Sequence, residues 1–199
     1  MRDRILEKLN QNLARVESLV VTYETHPDAQ GAGRKRHEVL DVLRAAVVLL
    51  HASLEEILRD LAYWKLPNAA PDVLNRIPWV GHTPSKKLAL GEIANHRGKT
   101  VDEIMTESVN AHLERSNFNS VTEMSALLES VGIDVGQINA RFTDLQALMD
   151  RRHQIVHRAD RQQTVIGRGD HQIRAINKEM VRGWTSAVED FGGALNALL

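Results

Sequence analysis

Residues 138–157 have the sequence INARFTDLQALMDRRHQIVH and predict one long helix. Its apolar positions recur three and four residues apart, which is the spacing of a single buried helical face. The stripe comprises Ile138, Phe142, Leu145, Met149, Arg152 and Val156. Arginine is almost never fully buried without a partner, because desolvating its charge is costly. Either Arg152 has a specific use on this stripe, or the stripe ends near Met149 and the remainder is a solvated helix end.

Apolar residues also recur at helical spacing outside this stretch. They predict long helices over about residues 2–24, 34–65 and 173–198. No segment predicts a strand, and the sequence has no internal repeat or low-complexity tract. We therefore expect an all-α fold, an up-and-down helical bundle of three to four long helices with shorter inserted helices, in a single domain over residues 1–199.

Residues 67–134 are predicted to form a loop-rich insertion, because prolines and glycines interrupt them. Shorter helices begin there at two capping boxes, residues 100–103 and 120–123, in which a hydroxyl and a glutamate satisfy each other's backbone donors. Gly132 is expected to end the second of these helices. Residues 134–137 are expected to open the helix that carries the arginine and histidine residues.

Composition excludes several classes of function. The 199 residues include no cysteine, which excludes disulfides, zinc–thiolate sites and cysteine nucleophiles. The net charge of −1 argues against a molecule that binds nucleic acid over its whole surface, so such a contact would need a local patch. No signal-peptide segment is present, and the strongest apolar run, residues 45–50, is too short to span a membrane. We expect a cytoplasmic protein without membrane contact.

Two glycine-containing segments and the other histidines are weaker candidates. Residues 33–37, GRKRH, could guide a phosphate backbone or simply form a solvated helix start. Residues 167–169 are too short for a nucleotide-binding loop and predict a turn. Five other histidines have no acidic or nucleophilic neighbours in a recognisable arrangement, so we interpret them as surface or core residues: His51, His82, His96, His112 and His171.

The spacing of Arg152 and His157 poses a geometric difficulty. Five residues on an ideal helix turn their side chains about 140° apart, so one helix cannot aim both at one small target. Two remedies are physical. The helix distorts near His157, or a second copy brings its own pair to a shared cleft across a two-fold axis.

Three kinds of chemistry suit this helix. Asp150, His153 and His157 have the types and spacing of metal ligands, although the neighbouring arginines oppose a cation. An anion site would use Arg152, assisted by Arg151 or Arg158, to bind phosphate, while His157 moves a proton at neutral pH. Such a pair suffices for metal-free RNA cleavage by a ribose 2′-hydroxyl. The third interpretation is a structural ion pair between Arg152 and Glu55 or Glu56 of the second helix.

The motif and its flanks resemble the HEPN superfamily. Arg152 followed by a polar His153, three residues and His157 is similar to its RxxxxH motif, in which histidine is a less frequent choice after the arginine. Residues 49–61, 118–133 and 176–198 resemble the long early helix, the segment before the motif helix and the closing helix. The closest form is the RiboL-PSP-HEPN type, and the resemblance covers the chain from about residue 38 onward.

The resemblance implies an all-α homodimer that pairs through its motif helices and cleaves RNA as a metal-independent endoribonuclease. It implies Arg152 and His157 as the catalytic pair, with His153 in the supporting polar position and no cofactor. We add Arg151 and Arg158 as substrate-binding residues. Family members commonly act in toxin–antitoxin or anti-phage defence systems, so an antitoxin or regulatory partner is an expectation. The alternative is a non-catalytic module that dimerises or binds a ligand or partner protein.

Overall fold

The computed structural model describes residues 1–30, 37–80, 90–161 and 173–199. Eight α-helices lie in these ranges, and their only strand-like pairing is an isolated bridge between Arg161 and Ile173. The helices are α1 (Arg2–Thr25), α2 (His37–Lys65), α3 (Pro71–Leu74), α4 (Leu90–Ala94), α5 (Val101–Leu113), α6 (Val121–Ser130), α7 (Phe142–Arg158) and α8 (Lys178–Leu198). The predicted all-α bundle, with α1, α2, α7 and α8 as long helices, is confirmed.

Helix α2 is the centre of the core. It contacts α1, α5, α6, α7 and α8, which requires apolar side chains around much of its circumference. Its buried apolar residues are Val39, Leu43, Ala46, Val47, Leu50, Leu54, Ile57, Leu58, Leu61 and Ala62. Arg44, His51 and Ser53 are also buried on this helix. Polar side chains in such a position need partners. Arg44 donates to Asp160, just beyond the end of α7, and His51 lies near Arg152 of α7.

Both predicted capping boxes of the inserted segment are present. The Thr100 hydroxyl accepts from the Glu103 backbone amide, and the Glu103 carboxylate accepts from the Thr100 backbone amide. Helix α5 begins at the next residue, Val101. Ser120 and Glu123 repeat the arrangement at the start of α6. Gly132, at φ +80°, follows the end of α6 in the left-handed region that favours glycine. The single domain over residues 1–199, with an insertion at about 67–134, stays a prediction.

Two predicted helix starts are wrong. Asp134 caps a short 3₁₀ turn, Val135–Gln137, and α7 begins only at Phe142. The last helix was expected from residue 173 but begins at Lys178, where the Asn177 side chain accepts from the Met180 amide. Just before it, the carbonyls of residues 174 and 175 accept hydrogen bonds from the buried Arg151 guanidinium, and these contacts hold the segment in a non-helical path.

No described helix is both long and apolar enough to cross a membrane. The predicted basic segment 33–37 lies outside the described residues except for His37, and so does the turn predicted at 167–169.

Candidate active site on helix α7

Helix α7 is a continuous α-helix through Arg158, so both motif residues lie on one regular helix. The distortion near His157 that would aim the two side chains together is therefore not present. The helix ends at Ala159 and Asp160, which have φ of 48° and 59°. Residues other than glycine rarely adopt this left-handed conformation, and it persists where surrounding contacts impose it. Here the Asp160 amide donates to the Gln154 carbonyl at 3.0 Å.

The contacts that impose this helix end come from a buried cluster, which we call the Asp160 clasp: Arg44, Arg151 and Asp160. The Asp160 carboxylate is completely buried, and its Oδ2 accepts from Arg44 Nε at 2.8 Å and from Arg151 Nη2 at 2.7 Å. Arg151 Nη2 also donates to the carbonyls of residues 174 and 175, at 3.1 Å each. The clasp thus ties the end of α7 to α2 and to the segment that leads into α8.

The clasp changes the role that the geometry supports for Arg151. Its side chain is only 3% exposed, and its Nε and Nη1 are buried without a hydrogen-bond partner among the described residues. Burial lowers the pKa of Arg151, and the Asp160 carboxylate opposes that effect. The predicted substrate-binding role of Arg151 is untested, but a guanidinium already held by a buried carboxylate and two carbonyls is poorly placed to bind a phosphate.

The predicted buried stripe of α7 is wrong beyond Met149. Leu145 and Met149 are buried as expected, but Arg152 is half-buried and Val156 is 48% exposed. The fully buried arginine is Arg151, because a carboxylate reaches that position and none reaches Arg152 among the described contacts. The second interpretation of the stripe, that it ends near Met149, therefore agrees with the structure.

Arg152 contacts neither of the carboxylates proposed for a structural ion pair. Its Nη1 donates to Asn119 Oδ1 at 3.5 Å, a long hydrogen bond at the α6 cap. Glu55 instead pairs with Arg59 at 3.4 Å, and Glu56 accepts from Asn12 at 2.6 Å. The described contacts thus give Arg152 a neutral partner, which leaves its charge available for an anion.

His51 is a neighbour of Arg152 that the sequence interpretation missed. It is 1% exposed on α2, its Nδ1 lies 3.8 Å from Glu55 Oε2, and its Nε2 has no partner among the described residues. Burial lowers the pKa of His51, the Glu55 carboxylate opposes this, and the positive charge of Arg152 adds to the lowering. One signal could have found it, since Arg44 and His51 lie two turns apart in a run, residues 42–52, that is otherwise apolar.

The two histidines of the motif form an exposed pair. His153 and His157 lie one turn apart, with ring centroids 4.6 Å apart and ring planes inclined by 43°. Arg158, the other predicted substrate-binding residue, is exposed in the same last turn. The structure therefore exposes His153, His157 and Arg158 and brings the two histidines into contact, while Arg152 lies on a different side of the helix from His157.

The described residues do not support a metal site on α7. Among the described ranges no three histidine, aspartate or glutamate side chains are arranged to hold a metal ion. Asp150, the third ligand of that interpretation, accepts instead from Gln146 Nε2 at 2.8 Å. The geometry of α7 thus favours the anion interpretation over the metal one.

The family assignment rests on a comparison of the whole sequence. No curated protein and no solved structure matches the chain. The sequence model of the RiboL-PSP-HEPN family matches residues 10–178, a span that includes α7 and every motif residue described above. The chain therefore belongs to the RiboL-PSP-HEPN family.

Proposed function

We propose that this protein is a metal-independent endoribonuclease whose active site is completed by a second copy of the chain. The observation that carries the proposal is the placement of Arg152 and His157 on one regular helix, which turns their side chains about 140° apart. Because the helix is undistorted, convergence on one phosphodiester requires the arginine and histidine of two copies, and a two-fold axis beside α7 would bring them together. Membership of the RiboL-PSP-HEPN family supports both dimerisation and RNA as the substrate class.

The proposed chemistry uses the exposed His157 as a general base. Its imidazole takes the proton of a ribose 2′-hydroxyl, and the oxygen attacks the adjacent phosphorus. The bond to the 5′-oxygen breaks, that oxygen takes up a proton, and a 2′,3′-cyclic phosphate remains. Arg152 donates to the phosphoryl oxygens, where negative charge develops in the transition state. His153, in ring contact with His157, supports the position of that imidazole.

The test is cleavage of mixed single-stranded RNA by purified protein in the presence of EDTA, with analysis of the new termini. We expect cleavage with 2′,3′-cyclic phosphate ends, and loss of cleavage in His157→Ala and Arg152→Ala. His26→Ala is the matched control, because His26 is an exposed histidine in the turn after α1. An unchanged rate in His157→Ala would refute its role as base, and cleavage abolished by EDTA would refute a metal-independent reaction.

We also propose a toxin or defence setting, in which a partner protein restrains the activity. An endoribonuclease that is always active would damage its own cell, so the exposed histidine pair is a surface that such a partner would mask. Induced expression of the unmodified protein alone should arrest bacterial growth, and His157→Ala should not. Equal growth of the two strains would contradict this setting.

The alternative is a non-catalytic member that binds a partner. An apolar groove of about 200 Å³, lined by Ile77, Trp79 and Ile104 among others, favours this second candidate, because binding sites are concave and lined mostly by apolar side chains. It predicts that RNA remains intact in the cleavage assay while the protein still dimerises.

A further inference from the structure

A polar groove runs along the exposed side of α7. We call it the α7 groove, and its principal lining residues are Asn119, Gln146, His153, Arg158, Arg174 and Trp184. Its volume of about 600 Å³ falls within the range of sites for small molecules and nucleotides. The side chains come from α7, the α6 cap, the segment before α8, and α8 itself, so the groove exists only in the folded protein.

The groove carries excess positive charge. Arg158 and Arg174 are exposed, and Arg174 Nη1 donates to Gln154 Oε1 at 2.7 Å, which holds its guanidinium against α7. Among the described residues that line the groove, Asp150 is the only acid, and its carboxylate already accepts from Gln146. The whole chain has a net charge of −1, so this excess of cations is local and does not reflect the overall charge. It favours an anionic ligand.

One wall of the groove is apolar. Met180, 36% exposed, and Trp184 line it from α8, and Ala147 lines it from α7. Nucleic acid bases stack on such surfaces, while guanidinium groups bind the phosphates between them. An apolar wall facing two exposed arginines therefore matches a chain of nucleotides better than it matches an inorganic anion.

The groove adjoins both residues of the motif. His153 lines it and is in ring contact with His157, and Asn119 lines it and accepts from Arg152. An RNA strand lying in the groove would thus contact His153 and Asn119, the direct neighbours of His157 and Arg152. Bases can reach a protein wall only when they are unpaired, so the strand would be single.

We infer that the α7 groove binds the single-stranded RNA that flanks the cleaved bond, with Arg158 and Arg174 on backbone phosphates and a base against Met180. This inference rests on the proposed function for the identity of the cleavage site. It adds Arg174 and Met180, which lie outside the motif, and it makes RNA binding separable from RNA cleavage.

The experiment measures binding of a fluorescent single-stranded oligoribonucleotide to the His157→Ala protein at a series of KCl concentrations. Each phosphate contact contributes about 0.7 to the slope of log K against log salt for a single strand. We expect Arg158→Gln and Arg174→Gln each to weaken binding and to reduce that slope by about 0.7. Arg76→Gln is the matched control, since Arg76 is an exposed arginine in the turn after α3 that pairs only with Asp72 among the described contacts.

A second measurement distinguishes contacts with the bases from contacts with the phosphate charges. Met180→Ala should weaken binding of the oligoribonucleotide and leave binding of inorganic polyphosphate unchanged, because polyphosphate has no base to lose contact. If both ligands respond equally, the base contact is refuted. If Arg158→Gln and Arg174→Gln keep the slope of Arg76→Gln, the groove does not bind the strand and the inference is overturned.

The outcome also distinguishes this inference from the proposed function. One outcome would support the groove and refute the nuclease. In it, the slope of log K against log salt falls in the two arginine variants, while the unmodified protein does not cleave RNA. Cleavage with unchanged KM in Arg158→Gln and Arg174→Gln, made with His157 intact, would support the nuclease and refute the groove. A change of oligomeric mass in these variants with no change in slope would assign the groove to a subunit contact and overturn the inference.

Discussion

Replacing Asp160 with asparagine should destabilise the protein strongly. Asparagine keeps the size of the side chain but removes the charge that two buried guanidinium groups share, at 2.8 Å from Arg44 and 2.7 Å from Arg151. Removing one partner of a buried ion pair costs about 3–5 kcal/mol, because a charge is left buried without compensation. For a chain of this length that corresponds to a fall in Tm of roughly 6–20 °C. The measurement is thermal and urea unfolding followed by far-UV circular dichroism.

Asp41→Asn is the matched control. Asp41 accepts from the same Arg44 at 2.9 Å, but its side chain is 66% exposed. Solvent-exposed ion pairs contribute about 0–1 kcal/mol, so the control should lose little stability. A companion variant tests the cause: adding Arg151→Met to Asp160→Asn removes one uncompensated guanidinium and should recover part of the loss.

The reasoning is refuted if Asp160→Asn is as mild as Asp41→Asn. It is also refuted if the double variant is less stable than Asp160→Asn alone, because the cost would then come from lost packing and not from unpaired charge. Because Asp160 is only three residues beyond His157, we expect RNA cleavage by Asp160→Asn to fall at temperatures where most of the protein is still folded.

Four further variants have outcomes that the described contacts predict. Two basic side chains of α8 lower the pKa of Glu24 to about 2, so Glu24→Gln should be less stable than the unmodified protein at pH 7, and the gap in urea midpoints should shrink as the pH falls from about 4.5 to 2. Burial lowers the pKa of His51, so this histidine binds a proton more readily in the unfolded chain than in the folded one. The unmodified protein should therefore lose more stability between pH 7 and pH 5 than His51→Leu does, as measured by urea midpoints. Gly193→Ala should raise stability by about 0.5–1 kcal/mol through helix propensity, since nothing lies near the added methyl. Gly192→Ala should instead be destabilising, because its methyl would lie 2.3 Å from Leu9 Cδ2 in the packed core, and equal Tm values for the two alanine variants would contradict that close contact.

Much of the fold could be predicted because its signals are local. Helical spacing of apolar residues identifies α1, α2, α7 and α8, and the capping boxes place the starts of α5 and α6 at the correct residue. These features depend on neighbours within one or two turns. The wrong start at residue 173 lies where a distant group holds the backbone, since the buried guanidinium of Arg151 donates to the carbonyls of residues 174 and 175. At residue 134 the competitor is local, because the Asp134 side chain caps a short 3₁₀ turn.

The candidate site, like the fold, has features that the sequence predicts and features that only the tertiary structure decides. The sequence by itself determined that a helix carries Arg152, His153 and His157, and that Arg152 and His157 point in different directions, because both follow from the helical repeat. Only the tertiary structure decided which arginine is buried. Arg151 and Arg152 are adjacent, and the choice depends on Asp160, which lies beyond the helix end, and on Arg44, which is 116 residues from Asp160 in the chain. Burial of a charge is set by the partner that reaches it through space, and helical periodicity carries no information about that partner.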